Sequence, residues 1–416
     1  MPASWQQGVG RTDGRGPRYE LADIFRECGE AFRRAHPLPA SHLKVMSAIE
    51  SCRTAALGGH MDRCDQCGFE QHAYNSCRNR HCPKCQRLAK ARWLEARQTE
   101  LLPVPYFHNV FTLPHELNAV ALYNKKLVFD LLFKSVSETL QEFGRDPKHG
   151  LGGKIGFIAI LHTWDQQLRT HIHLHCVIPA GAVSFSEERW ISGRKTFLFP
   201  VKAMSKVFRG KFIAFFKTAF TKGEITFPTQ GNDLSSANCF SALIAKLWKK
   251  DWVVYSKAPF GGPKFVLEYL GRYTHRVAIS NNRITNFQNN LVTFAYRDRK
   301  HCDKRKEMVL PADEFIRRFL LHIVPTSFMR IRYFGFLANR YRKSKITQCR
   351  EWLGQPRLIP QVQRKTVQEW ILKLTGIDIN MCPCCKNGRM VLVAELPVQS
   401  RSERLSSTMR SPWDSS

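Results

Sequence analysis

Acidic residues are scarce in this chain of 416 residues. Lys and Arg together number 64 against 34 Asp and Glu, which gives a formal net charge of +30. Because the positive excess is spread along most of the chain, the expected partner is a polyanion, above all nucleic acid. A membrane surface is much less favoured.

Long hydrophobic runs are also absent. No stretch reaches the roughly 18 apolar residues of a membrane span, and the start MPASWQQGVGRTDGRGPRYE has no hydrophobic segment of the signal-peptide kind. We therefore expect an intracellular, cytoplasmic protein. In that reducing compartment the 14 cysteines are expected to bind metal and not to form disulfides.

The composition and the pattern of apolar residues divide the chain into five segments. They are a flexible arm at 1–18, a helical, cysteine-rich domain at 19–103, a domain of mixed strands and helices at 104–300, a basic helical region at 301–395 and a disordered tail at 396–416. The motifs described next predict that the second segment binds zinc and that the third is the catalytic domain. In the third segment YFHNVFTLP, KIGFIAILHTW and HIHLHCVIP are typical of strands, and the polar turn DQQLRT pairs the last two. Hairpins with helices inserted between them predict an α+β fold, in which helices flank a central antiparallel sheet.

Cysteine spacing predicts a structural zinc site near the N-terminus. Cys64 and Cys67 form one C-x-x-C pair, and Cys82 and Cys85 form a second. Each short turn presents two sulfurs to one ion, and four thiolates leave no open coordination position. The sequence leaves open whether four neighbours supply a second site or exchange into the first: Cys52, His60, Cys77 and His81. Near the other end Cys382, Cys384 and Cys385 form half of a metal site without an evident partner.

Three histidines alternate in the third predicted strand. Alternate residues of a strand face the same side, so His171, His173 and His175 project together. We predict that His173 and His175 bind a metal ion and that His171 supports them. A third protein ligand is needed, and the sequence leaves five candidates open: His162, Asp165, Gln166, Gln167 and Glu268. Such an open site suits a cation that grips a phosphate oxygen.

Two tyrosines stand one helical turn apart in KFVLEYLGRYTHRVAIS. On a helix Tyr269 and Tyr273 would share one face, among cationic neighbours: Lys264, Arg272, His275 and Arg276. Attack of a tyrosine on a phosphodiester leaves a covalent phosphotyrosine and a free 3′ hydroxyl, so strands can be rejoined without ATP. The pattern therefore indicates transfer of DNA strands.

In combination, these motifs resemble the two-tyrosine HUH endonucleases, and among them the rolling-circle transposases of the insertion sequence ninety-one family. The resemblance rests on SCRTAALGGHMDRCDQCG, SCRNRHCPKCQ, PYFHNVFTLPHEL, LHTW, HIHLHCVIPAG, YLGRYTHRVAIS and RIRYFGFLANRYR, which span nearly the whole chain. It implies that His173 and His175 hold Mg²⁺ or Mn²⁺ and that the N-terminal cysteines form the family's zinc-binding domain. It also implies that Tyr269 and Tyr273 are the nucleophiles in a bacterial, nucleoid-associated enzyme that moves single-stranded DNA.

Basic and aromatic residues interleave in the C-terminal part. Predicted DNA contacts are Arg272, Arg276, Arg330, Arg332, Arg340 and Arg342, the last four of them among Tyr333, Phe334, Phe336 and Tyr341. This pattern suits base stacking and phosphate neutralisation, and a helix with a solvated basic face is an equal alternative.

Two rival functions stay open at this stage: a plasmid or phage replication initiator with the same site, and a zinc-containing DNA-binding regulator without catalysis.

Overall fold

A computed structural model describes residues 18–148, 150–194, 196–227, 236–257, 265–266, 271, 274–298, 301–357 and 363–399. The chain divides into two compact units, each assembled from separated segments. The cysteine-rich unit comprises residues 1–89, 277–320 and 363–416, and the histidine unit comprises residues 90–276 and 321–362. The five boundaries predicted from the sequence stay a prediction, as do the flexible arm and the disordered tail, most of whose residues lie outside the described ranges.

Helices and strands mix throughout both units. The helices are α1 (Leu21–Ala35), α2 (Ala40–Glu50), α3 (Gln86–Gln98), α4 (Asn118–Tyr123), α5 (Lys125–Arg145), α6 (Val201–Thr221), α7 (Ala237–Lys249), α8 (Ala312–Leu321), α9 (Arg342–Trp352) and α10 (Val367–Thr375). The strands are β1 (Gly59–Cys64), β2 (Glu70–Tyr74), β3 (Tyr106–Thr112), β4 (Gly156–Trp164), β5 (Thr170–Pro179), β6 (Gly181–Val183), β7 (Trp190–Ser192), β8 (Val254–Lys257), β9 (Ile284–Gln288), β10 (Leu291–Asp298), β11 (Lys304–Pro311), β12 (Ile331–Gly335) and β13 (Met390–Leu396). Among these described helices, none combines the length and the apolar character needed to cross a bilayer.

A five-stranded sheet forms the centre of the histidine unit. Its strand order is β12-β4-β5-β3-β8, and every neighbouring pair is antiparallel. The predicted hairpin of β4 and β5 is present, and all nine residues of β4 are buried. The predicted α+β class with a central antiparallel sheet is thus confirmed.

The two faces of this sheet pack differently. One face meets α5 and α6, where Leu132, Val136 and Leu140, and likewise Phe208, Phe212 and Phe216, recur at four-residue spacing and are buried. Each such side chain contributes about 1.5–3 kcal/mol to folding. On the opposite face, apolar residues of the sheet pack with α9 and with the part of α3 that belongs to this unit. The same face carries the histidines.

The described part of the cysteine-rich unit contains two three-stranded sheets. One has the order β11-β10-β9, and the Phe294 ring of β10 lies 5.8 Å from that of Phe315 in α8. Phe319 of α8 in turn makes an edge contact with Phe25 of α1, at 5.5 Å between ring centroids. The other sheet has the order β13-β1-β2 and joins a C-terminal strand to two N-terminal ones.

The sequence analysis predicted a helical region at 301–395, and the structure differs there. The described residues of this range form the helices α8, α9 and α10 and also the strands β11, β12 and most of β13. Both β12 and β13 pair with strands that lie far away in the sequence, β4 and β1 respectively. Local periodicity carries no signal of such pairing, and so these strands were missed.

Candidate metal centres

Three imidazoles meet on one face of the central sheet. The register sets His162 of β4 directly opposite His173 of β5, and His175 follows on the same face one pleat further along. One ring nitrogen from each of the three lies within 4.8 Å of the others, and all three side chains are buried. Among the five candidates for the third ligand, it is therefore His162 that the structure groups with His173 and His175.

Hydrogen bonds orient the two predicted ligands. His173 Nδ1 lies 2.8 Å from the carbonyl oxygen of His171. Because a carbonyl only accepts, Nδ1 carries the proton, and the lone pair of Nε2 is left for the cluster. His175 Nδ1 lies 2.9 Å from Nε2 of His108, which projects from β3. Partners of this kind fix the tautomer and the ring orientation of a metal-binding histidine. His171 thus contributes its backbone, and His108 is a residue that the sequence analysis missed.

Burial keeps this cluster in the form that binds a metal. Desolvation, aided by His162 and His173, holds the pKa of His175 well below its usual value. Burial likewise lowers the pKa of His108 to about 3. Both rings are therefore neutral at pH 7, and the neutral imidazole is the metal ligand.

Asp165, another predicted third ligand, is committed elsewhere. Its carboxylate accepts hydrogen bonds from the backbone N–H groups of Gln167 and Arg169 and pairs with the Arg169 side chain at 2.7 Å. It closes the turn between β4 and β5 and does not join the imidazoles. Glu268 lies outside the described residues.

The two predicted nucleophiles, Tyr269 and Tyr273, lie outside the described residues, as does Arg272. Described residues on both sides of them lie beside the histidine face. Val266 is fully buried in one apolar cluster with Ile160 and Val177, which share that face. Arg276 is close enough for its charge to lower the pKa of His175, an effect smaller than that of burial.

A first thiol cluster is formed by Cys52, Cys77, Cys82 and Cys85. The Cys85 sulfur lies 3.6 Å from the sulfurs of Cys52 and of Cys77. Hydrogen bonds among the thiols lower the pKa of Cys52 to about 7 and that of Cys85 far below its usual value, and they raise the pKa of Cys77 and Cys82. The four thiols thus compete for protons. A cation bound among the four sulfurs would hold all of them as thiolates and so remove this competition.

This grouping corrects the sequence analysis, which put the two C-x-x-C pairs on one ion. Cys82 and Cys85 instead join Cys52 and Cys77, two residues that the sequence offered for a second site. Cys64 and Cys67 meet Cys382 and Cys385 in a second thiol cluster. His60 and His81 belong to neither cluster, and Cys384 is exposed outside them.

The predicted DNA-binding arginines have mixed surroundings. Arg332 pairs with Asp130 at 2.5 Å and lies over the Phe133 ring. Arg342 pairs with Glu100 at 3.2 Å, and a guanidinium nitrogen of Arg330 donates to the carbonyl oxygen of Arg276. Arg340 stacks over Tyr341 and is exposed. Their contact with DNA stays a prediction.

The buried imidazole cluster, the two clusters of four thiols and the large positive charge of the chain are together typical of a metal-binding protein that acts on nucleic acid. A family model described as "Transposase zinc-binding domain" matches residues 24–113, and one described as "Putative transposase" matches residues 156–345. The chain belongs to the insertion sequence ninety-one family of transposases, and it is therefore a DNA-binding protein with a zinc-binding domain.

Two relatives illustrate this membership. The chain is 49% identical to "Putative transposase y4qJ" of Sinorhizobium fredii over 377 residues, which cover 90% of this chain and 94% of the relative. It is 28% identical to "Transposase for insertion sequence element IS801" of Pseudomonas savastanoi pv. phaseolicola over 302 residues, 72% of this chain and 70% of the relative. No solved structure matches the chain.

Proposed function

We propose that this transposase nicks and rejoins single-stranded DNA through covalent 5′-phosphotyrosine intermediates and so moves an insertion sequence by a rolling-circle-type mechanism. The observation that carries the proposal is the imidazole cluster of His162, His173 and His175. Three ligands leave coordination positions open for phosphate oxygens, whereas a purely structural site would be closed.

The cation at this cluster would be Mn²⁺ or Mg²⁺, bound by His173, His175 and His162. It would act as a Lewis acid toward the scissile phosphate. All three donors are imidazole nitrogens, which suit transition metals better than the hard Mg²⁺ ion. We therefore expect stronger support of the reaction by Mn²⁺.

The proposed nucleophiles are Tyr269 and Tyr273. The phenolic oxygen of one tyrosine attacks phosphorus, the bond from phosphorus to the 3′ oxygen breaks, and the proton of the phenol is transferred to that departing oxygen. The products are a 5′-phosphotyrosine and a strand with a free 3′ hydroxyl. Attack of a 3′ hydroxyl on the phosphotyrosine reverses the step and joins strands, since the number of phosphoester bonds is conserved. Two tyrosines allow one strand end to be held while a second is cut.

Support for this role of the tyrosines comes from their described neighbours. Val266 packs on the histidine face of the sheet, and the charge of Arg276 acts on His175. A tyrosine has a pKa of about 10 and is a weak nucleophile at neutral pH. A cation and a positively charged neighbourhood favour the phenolate and neutralise the phosphate that it attacks.

The test is formation of a covalent protein–DNA adduct. The full chain is incubated with Mn²⁺ and labelled single-stranded oligonucleotides that cover both ends of the element, and adducts are resolved under denaturing conditions. We expect an adduct with the wild-type chain and none with Tyr269→Phe combined with Tyr273→Phe. Tyr123→Phe is the matched control, because Tyr123 is 59% exposed outside the site, and it should react normally. Absence of a wild-type adduct, or its persistence in the double variant, contradicts the proposal.

A further inference from the structure

We propose that the protein holds a second structural zinc ion, bound by Cys64 and Cys67 from the N-terminal part and by Cys382 and Cys385 from the C-terminal part. The family model described as a zinc-binding domain ends at residue 113. It therefore contains only half of these ligands. The second cluster would join the two ends of the cysteine-rich unit through one metal ion.

Distances in the second cluster match a tetrahedral zinc site. The Cys64 and Cys385 sulfurs lie 3.7 Å apart, as do those of Cys67 and Cys382, and all four lie within 4.8 Å of one another. Zn–S bonds of about 2.3 Å place tetrahedral sulfurs about 3.8 Å apart. A disulfide would need about 2.05 Å, and all four cysteines are free.

Backbone amides point at the sulfurs of the second cluster. The N–H groups of Gln66 and Cys67 donate to Cys64 Sγ, each at 3.4 Å. On the C-terminal side, the N–H of Cys384 donates to Cys382 Sγ at 3.4 Å and that of Gly388 donates to Cys385 Sγ at 3.3 Å. Donors aimed at sulfur stabilise the thiolate, which is the form that binds zinc. A pair of sulfurs is therefore prepared for the metal on each side.

The two C-x-x-C turns have matching backbone conformations. The residue after each second cysteine has a positive φ, +71° at Gly68 and +63° at Lys386. Lys386 adopts this conformation although it is uncommon for a residue with a side chain. Gly388 packs directly against the Cys64 sulfur, because a Cβ at position 388 would lie only 2.4 Å from Cys64 Sγ. Only a glycine lets the C-terminal turn approach that sulfur so closely.

Hydrophobic burial does little to hold the C-terminal segment. Among described residues 363–399 the buried ones are Trp370, Cys382 and Gly388, and two of these are at the thiol cluster. Strand β13 pairs with β1 along its length, yet it contains no buried residue. A structural zinc contributes folding energy outright. It would supply what the apolar contacts of this strand do not.

The direct test is the zinc content of purified full-length variants. We expect Cys382→Ser with Cys385→Ser to contain one zinc ion fewer per chain than the wild type, and Cys64→Ser with Cys67→Ser to lose the same ion. The quadruple variant should then lose no further zinc, since both pairs serve one ion. The matched control Cys384→Ser should keep the wild-type content. Unchanged zinc in the C-terminal double variant, or loss of two ions in the quadruple variant, overturns the proposal.

A second measurement uses only the wild-type chain and so does not depend on the folding of variants. Cysteines are alkylated with iodoacetamide before and after zinc chelation, and modified positions are identified by mass spectrometry. Exposed Cys384 should react at once. Cys64, Cys67, Cys382 and Cys385 should be protected together and become reactive together when zinc is removed. Rapid alkylation of Cys382 and Cys385 in the zinc-loaded protein overturns the second site. Neither measurement involves DNA cleavage, so the outcome is separate from that of the proposed reaction.

Discussion

The thiol clusters and the imidazole cluster differ in how many donors they offer. Each thiol cluster brings four sulfurs together, which fill the tetrahedral shell of zinc, whereas the imidazole cluster brings three nitrogens together. A closed shell leaves no position for a substrate, and an incomplete one does. Donor number thus separates ions expected to hold the fold from an ion expected to take part in chemistry.

The clusters also differ in the chain segments that form them. His162 and His173 face each other across one antiparallel strand pair, so the register of a single hairpin brings them together. Cys64 and Cys385 are separated by 321 positions in the sequence. Removing a metal should therefore have local consequences at the imidazoles and wider ones at the thiols.

The largest effect is expected on loss of the first thiol cluster. Cys52→Ser with Cys77→Ser should release its zinc and unfold the surrounding part of the cysteine-rich unit, because structural zinc contributes an apparent 10–16 kcal/mol or so at pH 7. Hydrogen exchange should show the loss of protection in β1 and β2. Cys239→Ser, at an exposed cysteine, is the control. Full protection in the double variant would contradict a structural role for this ion.

Loss of the imidazole ligands should act on chemistry more than on folding. We expect His173→Ala with His175→Ala to abolish Mn²⁺ binding and to lower the rate of adduct formation by more than about a hundredfold, a loss like that of other electrostatic groups in active sites. Zinc at the thiols should remain. Electron paramagnetic resonance of free Mn²⁺ measures the binding.

His115→Ala is the control for this variant, since the His115 side chain is 75% exposed. It should bind Mn²⁺ and form adducts as the wild type does. If the double variant lost thiol-bound zinc or unfolded as widely as the cysteine variants, the distinction between the two kinds of cluster would fail.

A smaller effect is expected at His108, which contacts His175 and is not one of the three candidate ligands. We predict that His108→Phe weakens Mn²⁺ binding by about 10- to 100-fold, the usual range for a residue that orients a metal ligand. His108→Gln should recover part of this affinity, because its amide oxygen can accept the Nδ1–H of His175. Equal losses in the two variants would indicate that His108 only fills space.

The imidazole site was largely predictable because its signal is local. Alternation along β5 fixed the face of His173 and His175, and the polar turn at 165–170 indicated the hairpin partner. The choice of His162 needed the register, since a shift by one residue would turn its side chain to the other face. His108 was missed because its strand pairs with β5 from outside the hairpin.

The thiol clusters were predictable only as a set of ligands. A C-x-x-C turn shows that two sulfurs serve one ion, and it carries no information about which other pair completes the shell. That choice depends on the pairing of β1 with β13, whose residues Val391, Leu392 and Val393 are exposed and show no alternating burial. Without that pattern, the strand and the partner of Cys382 were not recognisable from the sequence.

The smallest predicted effect distinguishes the two thiol clusters from each other. Only the second cluster should depend on the contact between its N-terminal and C-terminal segments. In that contact the carboxylate of Asp65, which lies in the first C-x-x-C turn, accepts a hydrogen bond at 2.8 Å from the N–H of Arg389, which follows the second turn. Asp65→Ala removes this bond, which costs about 0.5–1.5 kcal/mol, equivalent to a roughly two- to tenfold change in an equilibrium. We expect chelators to remove zinc from the second cluster faster by a factor of this order and to act on the first cluster at an unchanged rate. Glu70→Ala is the control, because it breaks an exposed ion pair with Arg63 beside the same turns. Equal acceleration at both clusters would show that Asp65 stabilises the unit as a whole and not the junction of its two ends.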